Sequence, residues 1–171
     1  MKQATLGLIA AVLLMVAFFI PTQQALVLSE TRTNERVFYY IPVKQVKDFQ
    51  VTFTHSIHLS DVNEFYRIVE DGRIQFVKMI YEDLAVGMPG YAEENQTFER
   101  INGKWVLTSE DTFTDSFTLY NSSIHKKLEL RYDNKIYDLK QQVPTGHSYR
   151  IEVAKLSIAD VWKGEKIDGR E

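Results

Sequence analysis

Residues 49–57 read Phe-Gln-Val-Thr-Phe-Thr-His-Ser-Ile and alternate without exception between two sets of side chains. The odd-numbered positions carry Phe, Val, Phe, His and Ile, and the even-numbered positions carry only Gln, Thr and Ser. A period of two residues is typical of a half-buried β-strand, because successive side chains of a strand point to opposite faces. This stretch therefore predicts a sheet with one face turned toward a core.

Three β-hairpins are predicted, each with two strands that flank a turn-forming dipeptide. The dipeptides and their flanking strands are Asp71-Gly72 between 63–70 and 73–80, Asn102-Gly103 between 97–101 and 104–108, and Asp133-Asn134 between 127–132 and 135–139. Asn, Asp and Gly tolerate the positive φ angles that a two-residue type I′ turn requires. The central part of the chain is thus expected to be a succession of antiparallel strands.

The remaining pattern extends this interpretation to the whole chain after the N-terminal segment. Further strands are predicted at 25–29, 37–41, 113–120 and 149–156, and a short helix at 157–166. About ten strands and no long helical period predict an all-β fold: a single antiparallel β-sandwich or a barrel-like domain, preceded by an N-terminal hydrophobic helix.

The N-terminal segment carries the pattern of an export signal. Lys2 precedes an uncharged apolar run over residues 4–20, and Pro21 ends it. A positive start, an apolar stretch and a helix breaker are typical of secretory signals, and about 17 apolar residues lie at the lower limit for a membrane span. We therefore expect residues 1–25 to be a signal peptide or an N-terminal membrane anchor. Residues 26–171 would then be one extracytoplasmic domain, either secreted or anchored to the outer face of the cytoplasmic membrane.

Composition excludes several classes of mechanism. The chain has no cysteine, which excludes a thiol nucleophile, a thiolate metal site, a disulfide framework and a lipoprotein anchor. Its 20 Lys and Arg against 23 Asp and Glu give a net charge of −3 without a basic patch, so nucleic acid is not an expected partner. No cofactor is predicted.

One polar cluster, at residues 55–64, could carry chemistry. His55, His58, Asp61 and Glu64 are residue types that bind divalent metals or transfer protons. The flanking pattern favours strand, turn and strand, in which His55 and His58 would point to opposite faces. A metal held by His55, His58 and Glu64 would therefore need the turn to bring its ligands together, or a further ligand such as His125 or His147.

Two other interpretations of this cluster remain open. In the structural one, His55 caps the end of a buried face, while Asp61 and Asn63 shape the turn by hydrogen bonding to the backbone. In the binding one, His55, Ser56 and Glu64 contact a ligand or partner. A nucleophilic Ser56 is disfavoured, because the chain has no Gly-x-Ser-x-Gly elbow to present its hydroxyl.

A second candidate feature is the loop Gly87-Met88-Pro89-Gly90-Tyr91. Two glycines around a proline form a tight, rigid loop that can bring bare backbone close to another group. Such a loop either turns a corner of the fold or contributes to binding.

These motifs together resemble a known family. Phe53-Thr54-His55-Ser56-Ile57, then Asn63-Glu64-Phe65-Tyr66-Arg67-Ile68, Gly72 and Gly87-Met88-Pro89 are similar, in that order, to a family of small exported proteins catalogued as domain of unknown function 1850. The resemblance implies no established activity. It implies a setting beside tripartite, ATP-independent (TRAP) transporters that use a TAXI solute-binding protein. His55, Ser56, Glu64, Gly87 and Pro89 match motif positions of the family and are the candidate ligand- or partner-binding residues.

Two functions follow as expectations. The first is a non-enzymatic accessory module that assists solute uptake by docking on the TRAP transporter membrane subunit or the TAXI solute-binding protein. The alternative is a small metal-dependent or hydrolytic extracytoplasmic enzyme that uses His55 and Glu64. The first is favoured, because the sequence shows neither a recognisable nucleophile setting nor a coherent set of metal ligands.

Overall fold

The structure, a computed structural model, describes residues 2–32, 37–84, 86–124 and 126–171. In these residues an N-terminal helix is followed by twelve strands in two β-sheets that pack face to face. Neither sheet closes into a barrel. The predicted all-β fold is confirmed, and of the two predicted architectures the chain adopts the sandwich.

The elements follow one another in an order close to the predicted one. The helices are α1 (Lys2–Phe19), α2 (Leu139–Gln142) and α3 (Ile158–Lys163). The first six strands are β1 (Gln23–Glu30), β2 (Phe38–Pro42), β3 (Asp48–Thr54), β4 (Asp61–Ile68), β5 (Ile74–Tyr81) and β6 (Gln96–Ile101). The others are β7 (Lys104–Thr114), β8 (Ser116–Asn121), β9 (Leu128–Tyr132), β10 (Lys135–Asp138), β11 (His147–Leu156) and β12 (Glu165–Lys166).

The strands divide unequally between the two sheets. The five-stranded sheet has the order β12-β2-β1-β11-β8, and the seven-stranded sheet has the order β10-β9-β3-β4-β5-β7-β6. All neighbours are antiparallel except β12 and β2. The predicted strand 113–120 is wrong as a single element, because the chain leaves the seven-stranded sheet at Asp115 and enters the five-stranded sheet as β8.

The main core lies between the two sheets. Leu26 and Ile151 of the five-stranded sheet and Val51 and Leu130 of the seven-stranded sheet are fully buried in it. Phe117 on the edge strand β8 stacks on the Tyr66 ring, with centroids 4.6 Å apart. Interdigitated aliphatic and aromatic side chains from the two inner faces thus hold the sandwich together.

A second, smaller cluster covers the outer face of the five-stranded sheet. It comprises Ala25, Val27, Tyr40 and Leu156, with Phe38, Ala154 and Val161 packed against it. Helix α3 lies over this face through Val161. It begins with a capping box, in which the Ser157 hydroxyl accepts from the Asp160 backbone N–H and the Asp160 carboxylate accepts from the Ser157 backbone N–H. The outer face of the five-stranded sheet is therefore covered over β1, β2 and the end of β11, whereas its β8 side is exposed at Thr118.

Helix α1 is joined to the sandwich near α3. The Phe18 and Trp162 rings meet edge to face at 5.9 Å, while apolar side chains further up the helix, such as Leu6 and Leu14, are about 70% exposed. Within the described part of the chain, no helix is both long enough and apolar enough to cross a membrane.

Two of the three predicted hairpin turns have the predicted type I′ conformation. Both central residues have positive φ at Asn102-Gly103 and at Asp133-Asn134, as type I′ turns require. At Asp71-Gly72 the predicted type I′ turn is wrong, since only Gly72 has positive φ. Its N–H donates to the Val69 carbonyl, and the Val69 N–H donates to the Arg73 carbonyl, so the loop has three residues and ends in a glycine bulge.

Candidate functional site

Both sequence motifs lie at the same end of the seven-stranded sheet. Strands β3 and β5 end there, and β4, β7 and β9 begin there, because neighbouring strands are antiparallel. Segments 55–60 and 122–127 connect strands at this end, and segment 82–95 leaves β5 there. We call it the loop end. Lys127 of segment 122–127 makes an ion pair with Asp61, the first residue of β4, with 2.5 Å between Nζ and Oδ2.

The first motif forms a closed turn, which we call the His turn (residues 55–60). The backbone N–H of His55 donates to the Ser60 carbonyl at 2.8 Å, and the Leu59 N–H donates to the His55 carbonyl at 3.0 Å. Nδ1 of His55 accepts from the Ile57 N–H at 3.3 Å. The prediction that the strand continues to Ile57 is therefore wrong: β3 ends at Thr54, because the imidazole competes with the sheet for backbone donors.

The His turn brings together two side chains that an extended strand would separate. The rings of His55 and His58 lie 5.8 Å apart, centroid to centroid. Nδ1 of His58 is 3.8 Å from Oδ2 of Asp83, at the start of the next loop. Contact between the two motif loops is thus made by His58 and Asp83, neither of which matches a motif position of the family.

The glycine-proline loop is fixed to the sheet beneath it. The hydroxyl of Tyr81 donates to the Pro89 carbonyl, and the Tyr81 side chain is almost fully buried. Gly87 has φ +87°, which a residue with a Cβ adopts only with strain. Pro89 is therefore held by a buried ring, while Gly87 lets the exposed part of the loop reverse direction.

Glu64 belongs to a different environment. It shares one face of β4 with Val62, Tyr66 and Ile68, all buried, so it lies on the inner face of the sheet. The Tyr66 hydroxyl donates to Oε2 of Glu64 at 2.7 Å. Burial raises the pKa of Glu64, and the hydrogen bond from Tyr66 offsets part of this shift.

The structure does not bring His55 and Glu64 together. Glu64 pairs with Val51 across the β3–β4 ladder, four residues before His55. At the usual rise per residue this separates the two backbone positions by about 14 Å along β3. Ser56 is exposed on the His turn. The five predicted site residues therefore divide into four at the loop end and Glu64 on the inner face.

The predicted metal ligands can be placed only in part. No cluster of three or more His, Asp or Glu side chains suited to a metal ion occurs in residues 2–32, 37–84, 86–124 and 126–171. His125 lies outside the described residues. His147 is on β11 of the other sheet, with Nδ1 2.6 Å from Oε1 of Glu30.

Sequence reasoning missed a group of exposed apolar side chains at the loop end. We call them the apolar tips: Ile57 and Leu59 of the His turn, Leu84 and Val86 of the next loop, and Ile124 of segment 122–127. Ile57 is 63% exposed, and Val86 and Ile124 are both 86% exposed. The available signal was the presence of large aliphatic residues inside predicted turns, where polar residues are usual.

The family comparison covers the part of the chain that contains both motifs. A family model described as a domain of unknown function, DUF1850, matches residues 49–139, more than half of the chain. No curated protein and no solved structure shows significant similarity to this chain. The matched residues include all of β4 to β10 and nearly all of β3, and so almost the whole seven-stranded sheet together with the loop end. The chain belongs to the DUF1850 family of domains of unknown function.

Proposed function

We propose that this protein is an exported accessory module that assists a TRAP-type transporter with a TAXI solute-binding protein, and that it acts by docking. The transporter setting comes from the family resemblance. The docking surface is inferred from the loop end. The proposal treats the motif residues His55, Ser56, Gly87 and Pro89 as the framework that shapes this surface.

The observation that carries the proposal is the exposure of the apolar tips on loops that are themselves held in place. The His turn is closed by backbone hydrogen bonds, and Pro89 is fixed by Tyr81. Single exposed apolar residues are common on protein surfaces, whereas several large ones on the loops at one end of a sheet are typical of an interaction site. Rigid loops also lose little conformational entropy on binding, which favours association.

Helix α1 supports a role outside the cytoplasm. Its apolar side chains are exposed around the helix, from Leu6 to Phe19, and its last turn contacts α3 through Phe18. A helix that is apolar on all sides is suited to an environment other than water. We therefore propose that residues 1–25 direct export, as a signal peptide or as an anchor. Cell fractionation with N-terminal sequencing of the mature protein tests this point.

The position of α1 favours one partner over the other. Strand β1, which follows α1, begins beside the start of β3: Lys47 donates through Nζ to Oε1 of Gln24. The loop end lies at the opposite end of β3. A helix held at the membrane would direct the loop end away from the membrane. We therefore propose the TAXI solute-binding protein as the partner, in preference to the membrane subunit.

Co-purification with each transporter component tests the proposal. The variant Ile57→Ser with Val86→Ser removes two apolar tips and should reduce capture of the solute-binding protein at least tenfold, without changing the melting temperature. Ile158→Ser is the matched control, because Ile158 is half exposed on α3, on the outer face of the other sheet. Wild-type protein that captures no transporter component, or tip variants that capture it normally, would contradict the proposal.

The enzymatic alternative finds no support in the positions of its two residues. A carboxylate and an imidazole must come within hydrogen-bonding reach, directly or through one water, to act on the same proton. His55 uses Nδ1 to accept from the His turn, and Glu64 is hydrogen bonded to Tyr66 on the inner face. Their separation along β3 leaves docking as the function that the geometry favours.

A further inference from the structure

The outer face of the seven-stranded sheet contains a groove of about 650 Å³. Strands β3, β4, β5, β9 and β10 contribute to its lining. This volume is within the usual range for small-molecule sites. The groove faces away from the main core, and its central lining residues lie on strand positions away from the loop end.

Four side chains form a continuous row across the floor of this groove. Arg131 on β9 pairs with Gln50 on β3, Gln50 pairs with Phe65 on β4, and Phe65 pairs with Lys78 on β5. Directly paired residues place their side chains on the same face, with neighbouring strands about 4.8 Å apart. The row therefore presents a cation at each end, with an amide and an aromatic ring between them.

The two cations in the row differ from Arg67, another cation of the groove lining. Arg67, also in the lining, makes a two-point ion pair with Asp48, with distances of 2.6 and 3.3 Å. Arg131 has one long contact, 3.8 Å to Glu129. Lys78 has no carboxylate within 4 Å in the part of the chain that the structure describes. Two positive groups in the row therefore remain available to an anion.

The Lys78 ammonium is directed toward the middle of the row. Its Nζ lies 4.7 Å from the centroid of the Phe65 ring, which is a cation–π geometry. An anion bound by Lys78 would consequently sit over or beside Phe65. The same ring can contact an apolar portion of the bound molecule.

The polar part of the floor is held in one arrangement. Nε2 of Gln50 donates to Oγ1 of Thr52 at 2.9 Å and to Oδ1 of Asn63 at 2.8 Å, and the Thr52 hydroxyl donates to the same Asn63 oxygen at 3.0 Å. Thr52 is 3% exposed even though it lies on the outer face of the seven-stranded sheet, which we call the open face. Groups that are already ordered lose little entropy when a ligand binds.

We propose that this groove is a binding site for a small organic anion, with its charged group between Lys78 and Arg131 and its apolar body against Phe65. The charged group is a carboxylate or a phosphate ester, since ammonium and guanidinium groups bind both. The inference is independent of docking at the loop end, because it uses a different surface of the seven-stranded sheet.

Calorimetric titration of the full chain at constant ionic strength tests the site. The probes are benzoate, phenyl phosphate, neutral benzamide and inorganic phosphate. We expect benzoate or phenyl phosphate to bind, which also identifies the preferred anionic group. Benzamide should bind at least tenfold more weakly because it has no charge, and inorganic phosphate should bind more weakly because it has no body to contact Phe65.

Variants test the assignment of residues. Lys78→Gln and Arg131→Gln should each weaken binding of the anionic probe about tenfold or more, the usual effect of losing a charge-assisted contact. Lys155→Gln is the matched control, since Lys155 is an exposed lysine on β11 of the other sheet. Failure of both aromatic anions to bind at millimolar concentration would overturn the proposal. So would equal binding of benzamide or of inorganic phosphate, or unchanged affinity in both groove variants.

Discussion

The two outer faces of the sandwich have opposite character. The outer face of the five-stranded sheet is apolar and covered over β1, β2 and the end of β11, where Val27 and Leu156 are buried near α3. The outer face of the seven-stranded sheet is uncovered and carries the Gln50, Thr52 and Asn63 network beside the groove. The difference shows that one sheet supports the fold through both faces, whereas the other has a face available for binding.

The largest expected effect comes from truncating the covered face. Leu156→Ala should reduce the free energy of unfolding by about 3 kcal/mol, since Leu156 is 6% exposed and its removal leaves a cavity. Ile80→Ala is the counterpart on the open face, where the partly buried side chain should contribute only about 1 kcal/mol. Chemical denaturation measures both, and equal losses would remove the distinction between the faces.

A smaller loss is expected within the polar network. Thr52→Val keeps the shape of the side chain but removes the donor to Asn63 and the acceptor for Gln50, which should cost about 1 to 2 kcal/mol. Thr118→Val, at an exposed position of β8, is the control and should be nearly neutral. A neutral Thr52→Val variant would show that the network does not stabilise the open face.

The interior between the two faces should show a modest pH effect at Glu64. Burial raises the pKa of this carboxyl above its ordinary value of 4.5, so the folded state holds the proton more tightly than the unfolded state. The resulting stabilisation is complete below pH 4.5 and is lost as the pH rises through the folded-state pKa. Glu64→Gln should therefore be more stable than wild type at pH 7 and equal to it near pH 4.

Denaturation curves at both pH values check this expectation. Glu99→Gln, at an exposed position of β6, should leave stability unchanged at either pH. The amide oxygen introduced by Glu64→Gln can still accept the Tyr66 hydrogen bond, so the variant removes the charge and keeps this contact. Lower stability of the Glu64→Gln variant at pH 7 would mean that the ionised carboxylate is favourable in the interior.

The smallest effect is expected where α3 meets α1. Trp162 is 81% exposed and contacts Phe18, so Trp162→Ala should change the free energy of unfolding by less than about 0.5 kcal/mol. Its neighbour Val161 packs on the covered cluster, and Val161→Ala should cost more, about 1 kcal/mol. The ratio of the two effects shows which side of α3 covers the sheet.

Local sequence patterns predicted most of the strands and two of the turns, because these depend on interactions between near neighbours. Alternation placed β3, and the Asn102-Gly103 and Asp133-Asn134 pairs placed their hairpins. Two of the errors arose where a local competitor was overlooked. His55 offers its ring nitrogen to the following backbone and ends the strand early, and Gly72 forms a bulge in place of a two-residue turn.

The candidate sites were predicted less completely than the fold. The motifs led to the His turn and to the loop containing Pro89, but not to their contact through His58 and Asp83. The match to motif positions of the family placed Glu64 and His55 in one candidate site, whereas the β3–β4 register separates them. The groove was missed entirely, because its residues lie on several strands. Alternation predicts the face on which a residue lies within its own strand, but not which strands are neighbours.

The sequence by itself determined the strand-rich character of the chain, its cysteine-free core and the positions of three hairpins, because alternation and turn preference act over a few residues. Only the tertiary structure decided which strands are neighbours, which outer face is covered, and which distant side chains share a surface. Arg131, Gln50, Phe65 and Lys78 become a row through ladder registers that join residues up to 81 positions apart. Such long-range pairing is set by burying two sheets against each other, a free energy to which the whole chain contributes.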